Sequence, residues 1–193
     1  MSTEETQAGV GEMANVETTR LYHYSEDGTI VRLDPRPSSL LPDHQHAVWA
    51  IDAEHAPHYW FPRDCPRIAC WAGPGTTILD ATRFLGYSRA EKIIAIEAAW
   101  LARVRKTELY AYEMPAETFA IHDVNAGYYL SRAPVLPLAI EPVGDLLARL
   151  VSIGIELRIT PSLQPLRDAL VVSTMAFSMI RLRNMEHAGA GAR

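Results

Sequence analysis

The chain has 193 residues, 48% apolar and 21% charged; this is the composition of a soluble globular protein with enough apolar material for one substantial core, and it excludes a disordered chain. A formal net charge of −5 gives no general attraction to phosphate backbones or anionic lipid, which disfavours a general nucleic-acid binder. No segment reaches the roughly 18–20 apolar residues that a spanning helix needs, so no membrane partner is expected.

Two cysteines, Cys65 and Cys70, make no disulfide framework, and the acidic, polar start of the chain lacks the basic-then-apolar order of a signal peptide. A reduced, cytoplasmic setting is expected. Residues 1–18 and 186–193 lack periodicity and read as flexible tails around a single α+β domain over 19–185.

Inside that domain Arg20 to Ser25 reads as an aromatic strand followed by the acidic-glycine turn Glu26-Asp27-Gly28. Ile30–Leu33 suits a short strand or a helical turn, and Pro35, Pro37 and Pro42 then impose a loop that carries His44 and His46. Ala47–Ile51 is a buried-strand run with Asp52 at a helix N-cap position, which predicts a helix over Ala53–Phe61 despite Pro57. After Pro62 to Arg67, Ile68–Trp71 is another strand, and Gly73 to Thr77 a turn.

Ile93, Ile94, Glu97, Ala98, Leu101 and Val104 set out one face at helical spacing, predicting a helix over Ala90–Lys106 with Ser88 as cap. Tyr110–Met114, Phe119–His122, Gly127–Ser131 and Leu138–Glu141 read as successive, mostly antiparallel strands. A helix over Asp145–Ile153, a strand over Ile155–Ile159, a helix over Leu163–Thr174 and a last strand or helix over Phe177–Leu182 complete the pattern. The sum is an α+β fold with mixed, mostly antiparallel sheets and a few helices.

Several side chains bear on chemistry. His55 and His58 at i, i+3 would share a helix face and could reach one ion, but no spacing among His44, His46, His55, His58, Cys65 and Cys70 matches a zinc signature, so no metal site is assigned. Arg63 and Arg67 flank Cys65 and would lower a thiol pKa, although a cysteine in a rigid proline turn is more simply a small buried apolar residue. Gly73-Pro-Gly-Thr-Thr77 lacks the lysine of a phosphate loop.

What remains is a set of polar groups among aromatic ones: His23 between Tyr22 and Tyr24, Trp49, the His58-Tyr-Trp-Phe61 run before Arg63, and Tyr128-Tyr129 before Arg132. Ring stacking with a few fixed hydrogen bonds holds a flat base, and arginine holds a pyrophosphate. The plainer reading is core aromatics, with an arginine beside proline fixing a turn by bonding its carbonyls.

The phrases LYHYSEDGTI, VWAIDAEHAPHYWFPRDCPRI, AGYYLSRAPVLPLAIEPV and SLQPLRDALVVSTMAFSMIRLRN together resemble an uncharacterised bacterial family known by a domain-of-unknown-function label. More distantly, a first strand with His-Tyr, a Val-aromatic-Ala-x-Asp strand and a late Ser-Arg-x-Pro strand resemble the ADP-ribosyltransferase-like fold. The resemblance implies a split-sheet arrangement, NAD as cofactor, a first-strand histidine on the nicotinamide ribose, a stacking ring from the second strand and a late carboxylate. By position these are His23, Trp49, which stands where that fold has tyrosine, and Glu141.

The expectation is therefore an enzyme that binds NAD or an ADP-ribosylated compound through His23, Tyr24, Trp49, Tyr59, Arg63, Tyr129 and Arg132. His23 and Glu141 are its catalytic candidates. A non-catalytic ligand-binding or interaction protein is the rival, and a histidine-ligated metal hydrolase a weaker one. A small-molecule nucleotide is the expected partner; the acceptor and the oligomeric state are left open.

Overall fold

The computed structural model describes residues 19–38 and 40–186; the tail expected over 1–18 and that expected after Glu186 lie outside the described residues. In chain order the strands are β1 (Leu21–Ser25), β2 (Arg36–Pro37), β3 (His46–Asp52), β4 (Arg67–Trp71), β5 (Lys92–Glu97), β6 (Tyr110–Met114), β7 (Ala120–Asp123), β8 (Tyr128–Ser131), β9 (Ala139–Pro142), β10 (Ile155–Thr160) and β11 (Ala176–Ile180). The helices are α1 (Ile78–Leu85), α2 (Leu101–Lys106), α3 (Leu146–Ser152) and α4 (Gln164–Leu170).

They form two sheets in a mixed, mostly antiparallel α+β arrangement. The larger runs β7-β8-β3-β1-β6-β9, with β2 also against β3, and every pair in it is antiparallel. The smaller runs β10-β5-β4-β11, and only β5 and β10 are parallel.

Strand alternation explains how the sheets are covered. Ile94 and Ile96 of β5 join Ala69, Trp60, Phe61, Leu146 and Leu150 in the core between the sheets, against which Tyr24 and Ala111 of the larger sheet pack. Ile93 and Ala95 face the other way, onto Phe84 of α1 and Leu163 and Leu170 around α4. On the far face of the larger sheet Leu21, Val48, Ala50, Tyr112 and Met114 are closed over by Leu33 and Val135, which bridge to each other.

Three expectations change. Ala90–Lys106 is not one helix: Lys92–Glu97 is a strand and only Leu101–Lys106 is α-helical. Ile93 to Ile96 are at most 1% exposed, and a central strand covered on both faces reads as a continuous apolar run, which the helical stripe also fits. Ser88 instead accepts the Ala90 N–H.

Ala53–Phe61 is a loop with one 3-10 turn at Ala56–Tyr59. His55, Ala56, Pro57, His58, Trp60 and Phe61 are all buried and only Ala53 and Glu54 at its start are exposed, so the segment lacks the continuous solvent face of an amphipathic helix. Ile30–Leu33 contributes only the Leu33 bridge. The sequence reading also passed over α1, whose start is marked by Thr77 accepting the Asp80 N–H and whose end by Gly86 at φ +61°.

Candidate functional site

The feature with the clearest chemical potential is an interruption in the larger sheet. Along one edge of β3 the partner is β8, over Val48–Ile51. Along the other edge β1 pairs only at Ile51 and Asp52, and β2 only at His46 and Ala47. Between them β3 has no backbone partner on that side among the described residues, although β1 continues against β6 for all five residues.

His23 fills the interruption. Its Nδ1 lies 3.0 Å from the Trp49 carbonyl oxygen; a carbonyl only accepts, so Nδ1 carries the proton and donates. The ring also meets Tyr112 edge-on at 6.4 Å. Burial pushes the imidazolium pKa below its ordinary value, the Trp49 carbonyl opposes, and the positive charges of Arg63 and Arg36 add to the depression. The neutral ring then leaves Nε2 as a lone-pair acceptor, and no described residue bonds to it.

Arg36 and Arg63 are both exposed. Among the described residues neither guanidinium makes a side-chain hydrogen bond or an ion pair. The Arg63 backbone is by contrast firmly held: its N–H donates to Glu26 at 2.8 Å, its carbonyl accepts from Arg181 at 3.2 Å, and the next carbonyl, Asp64, accepts from Asn184 at 2.7 Å. Arg67 is the arginine that fixes this turn. It is 3% exposed, donates to the His58 and Cys65 carbonyls at 2.5 and 2.7 Å, and lies over the Tyr59 and Phe61 rings. Burial lowers its pKa to about 10.

The residues singled out in the sequence divide between the two faces of the sheet. Register places Tyr112 opposite His23, and Tyr129 opposite Ala50 on that same face. The Trp49 and Tyr24 side chains point to the opposite face. There Trp49 meets His122 and Tyr128 edge-on at 5.3 and 5.6 Å, and Tyr128 accepts a hydrogen bond from the Tyr59 hydroxyl at 2.9 Å. Burial drives the Tyr24 hydroxyl pKa up to about 12, and raises that of Tyr59 as well.

Arg132 donates to the His46 carbonyl at 2.9 Å; strand alternation from the Asp52 N–H, which bonds Gly127, directs that carbonyl to the β8 edge of β3, so Arg132 lies across the strand from the interruption. Glu141 stands on β9 opposite Ala111, which is opposite Tyr24. It is two strands from His23 and on the other face. Arg36 was missed, because the proline-rich loop around it carries no pattern that announces a two-residue strand against β3.

Cys65 is fully buried, and burial pushes its thiol to about 12, outweighing Arg67. His55 and His58 do come together, ring centres 5.8 Å apart. Among the described residues no group of three or more His, Cys, Asp or Glu is placed to hold a metal ion, and no helix is long and apolar enough to cross a membrane. An open depression of about 590 Å³ over α2 is lined by Glu26, Arg103, Lys106 and Glu108 and is a solvated charged face.

A model described as "Family of unknown function (DUF6886)" matches residues 22–185, and the chain belongs to that family. No curated protein matches the chain. No solved structure matches it either.

Proposed function

We propose that this family member binds a phosphorylated nucleotide of the NAD or ADP-ribose type at the interruption between β1 and β2. The observation that carries the reading is His23, fixed through Nδ1–H to the Trp49 carbonyl so that Nε2 is an acceptor without a partner among the described residues, within electrostatic reach of the Arg36 and Arg63 guanidiniums, which have no carboxylate partner among those residues. An acceptor suits a ribose hydroxyl, and two free arginines suit a pyrophosphate. In a chain of net charge −5, two guanidiniums without an ion pair among the described residues near a neutral histidine suit an anion against the overall balance.

In this reading His23 accepts a ribose hydroxyl and Tyr129 is the aromatic ring on its face, while Arg36, on the Trp49 face, and Arg63 neutralise phosphate across the interruption. NAD, when bound, would supply an electrophilic glycosidic carbon. Transfer from that carbon needs a carboxylate beside the developing oxocarbenium ion, and Glu141 faces away. Binding without transfer is therefore favoured over an ADP-ribosyltransferase.

A thermal-shift and calorimetric titration with NAD, ADP-ribose and AMP tests this. Wild type should show a ligand-dependent rise in Tm. His23→Ala should weaken binding about tenfold or more, the equivalent of one hydrogen bond of about 1.4 kcal/mol. Arg36→Ala and Arg63→Ala, both at exposed positions, should weaken ADP-ribose without lowering the ligand-free Tm. No shift with any of the three ligands at millimolar concentration overturns the reading and leaves an interaction protein.

A further inference from the structure

A second place in the molecule is built to receive something, and it does not rest on the nucleotide reading. Between the two sheets, a cleft of about 190 Å³ is lined by His55 and His58 from the turn after β3, Trp71 of β4, Asp123, Asn125 and Ala126 of the β7–β8 turn, and Phe177 and Ser178 of β11. We propose that this cleft is a binding site for a neutral, single-ring planar molecule with an amide-like edge, that is, a donor and an acceptor side by side.

The wall of the cleft is aromatic. The His58 ring lies 5.5 Å from the Trp71 ring, tilted by 35°, and the Lys92 ammonium sits 4.8 Å from the same indole. His58 is 2% exposed, and its Nε2 is enclosed without a hydrogen-bond partner among the described residues. No described residue bonds to the other ring nitrogen. Native proteins rarely leave such a group unpaired unless water, a ligand or chemistry uses it. Burial lowers the imidazolium pKa to about 3, so the ring is neutral and offers one donor and one acceptor.

The neighbouring groups have the same dual character. Among the described residues the Ser178 hydroxyl and the Asn125 side-chain amide make no hydrogen bond. His55, in contrast, is already committed: its Nδ1 and its backbone N–H each lie 2.8 Å from Asp52 Oδ1. Asp123 Oδ1 accepts from the Asn125 and Ala126 backbones. The uncharged groups of the lining with unused capacity are therefore His58, Asn125 and Ser178.

Size and charge restrict the occupant. The volume is that of about six waters, below the roughly 300 Å³ at which drug-sized pockets begin, so one ring fits and a nucleotide does not. The Asp123 carboxylate in the cleft wall opposes an anion, and the Trp71 ring already carries the Lys92 ammonium at 4.8 Å. A neutral amide edge on a flat ring pairs with His58, Asn125 and Ser178 while the ring lies against Trp71.

Imidazole 15N spectra of the full chain, titrated with cytosine and with 2-pyridone, test this, with benzoate as the charged control. The His58 nitrogens should shift saturably with either probe, at a millimolar Kd, and not with benzoate. Asn125→Ala, in an exposed turn, should weaken binding several-fold, and Ser178→Phe, which fills the cleft, tenfold or more. The Arg36→Ala/Arg63→Ala double variant should bind as wild type does, which separates this site from the nucleotide site. Absence of a His58 shift with both probes, an equal response to benzoate, or binding unchanged in Asn125→Ala would each overturn the proposal.

Discussion

Gly127 offers the sharpest test of how the turn after β3 is built. It sits at φ +68°, and a Cβ there would land against His55 Nδ1 and within 2.7 Å of both His55 Cγ and Asp52 Oδ2. Gly127→Ala therefore carries two costs. A left-handed conformation costs an L-residue about 1–2 kcal/mol, and forcing apart the Asp52–His55 contact removes a hydrogen bond to a charged acceptor, about 1.5–3 kcal/mol. The sum is about 3–5 kcal/mol, or a Tm lower by roughly 10 °C in a chain of this size. Gly154 is the internal control, because it has a similar φ of +77° with nothing within 4 Å of its would-be Cβ, so Gly154→Ala should cost only the backbone part, about 1–2 kcal/mol. Urea denaturation of the two variants beside wild type, with unchanged m-values, measures the difference directly. Equal losses in the two variants would refute the claim that Gly127 is there to seat the Asp52–His55 pair.

Glu97 is fully buried and accepts the backbone N–H groups of Leu163 at 3.1 Å and Glu186 at 3.0 Å; Glu97→Gln sets an amide donor against one of them and should cost about 2 kcal/mol by chemical denaturation. Arg67→Lys should destabilise by about 2–4 kcal/mol, since an ammonium cannot reach the His58 and Cys65 carbonyls in the fork geometry of the guanidinium; Tm and denaturant midpoint both report it. His58 has its pKa lowered from 6.5 to about 3, so the unfolded chain binds a proton that the native chain refuses: its contribution is full above about pH 6.5 and is lost as pH falls toward the folded value, by up to about 1.4 kcal/mol per unit. Stability measured between about pH 6.5 and 5 should fall less steeply in His58→Phe than in wild type. Burial raises both thiols, Cys65 to about 12 and Cys70 to about 11, so a thiol reagent should label neither in native protein and both at the rate of unfolding.

Much of the architecture follows from local pattern. The strands around His23, Trp49, Tyr112, Leu130 and Leu157 are short apolar or alternating runs bounded by proline, glycine or acidic turns, and period and punctuation suffice for such segments. The Asp145 cap and the Gly154 stop likewise bracket α3 closely. The i, i+3 spacing of His55 and His58 announces that their rings meet even though the segment is not α-helical, because a 3-10 turn also aligns i with i+3.

The rest depends on contacts distant in sequence. Lys92–Glu97 is a strand because β4 and β10 flank it and both its faces are buried, and nothing within the segment separates that from a helix of the same composition. The sequence by itself determined the inventory: a histidine in an aromatic strand, arginines around a proline turn, two histidines three apart. Tertiary structure decided which of them share a face. Side chains alternate across a strand, and register with distant partners sets the phase, so His23 shares a face with Tyr112 and Tyr129 while Trp49, next to it through its carbonyl, turns its ring to the other face, where pairing with Ala47 also puts Arg36.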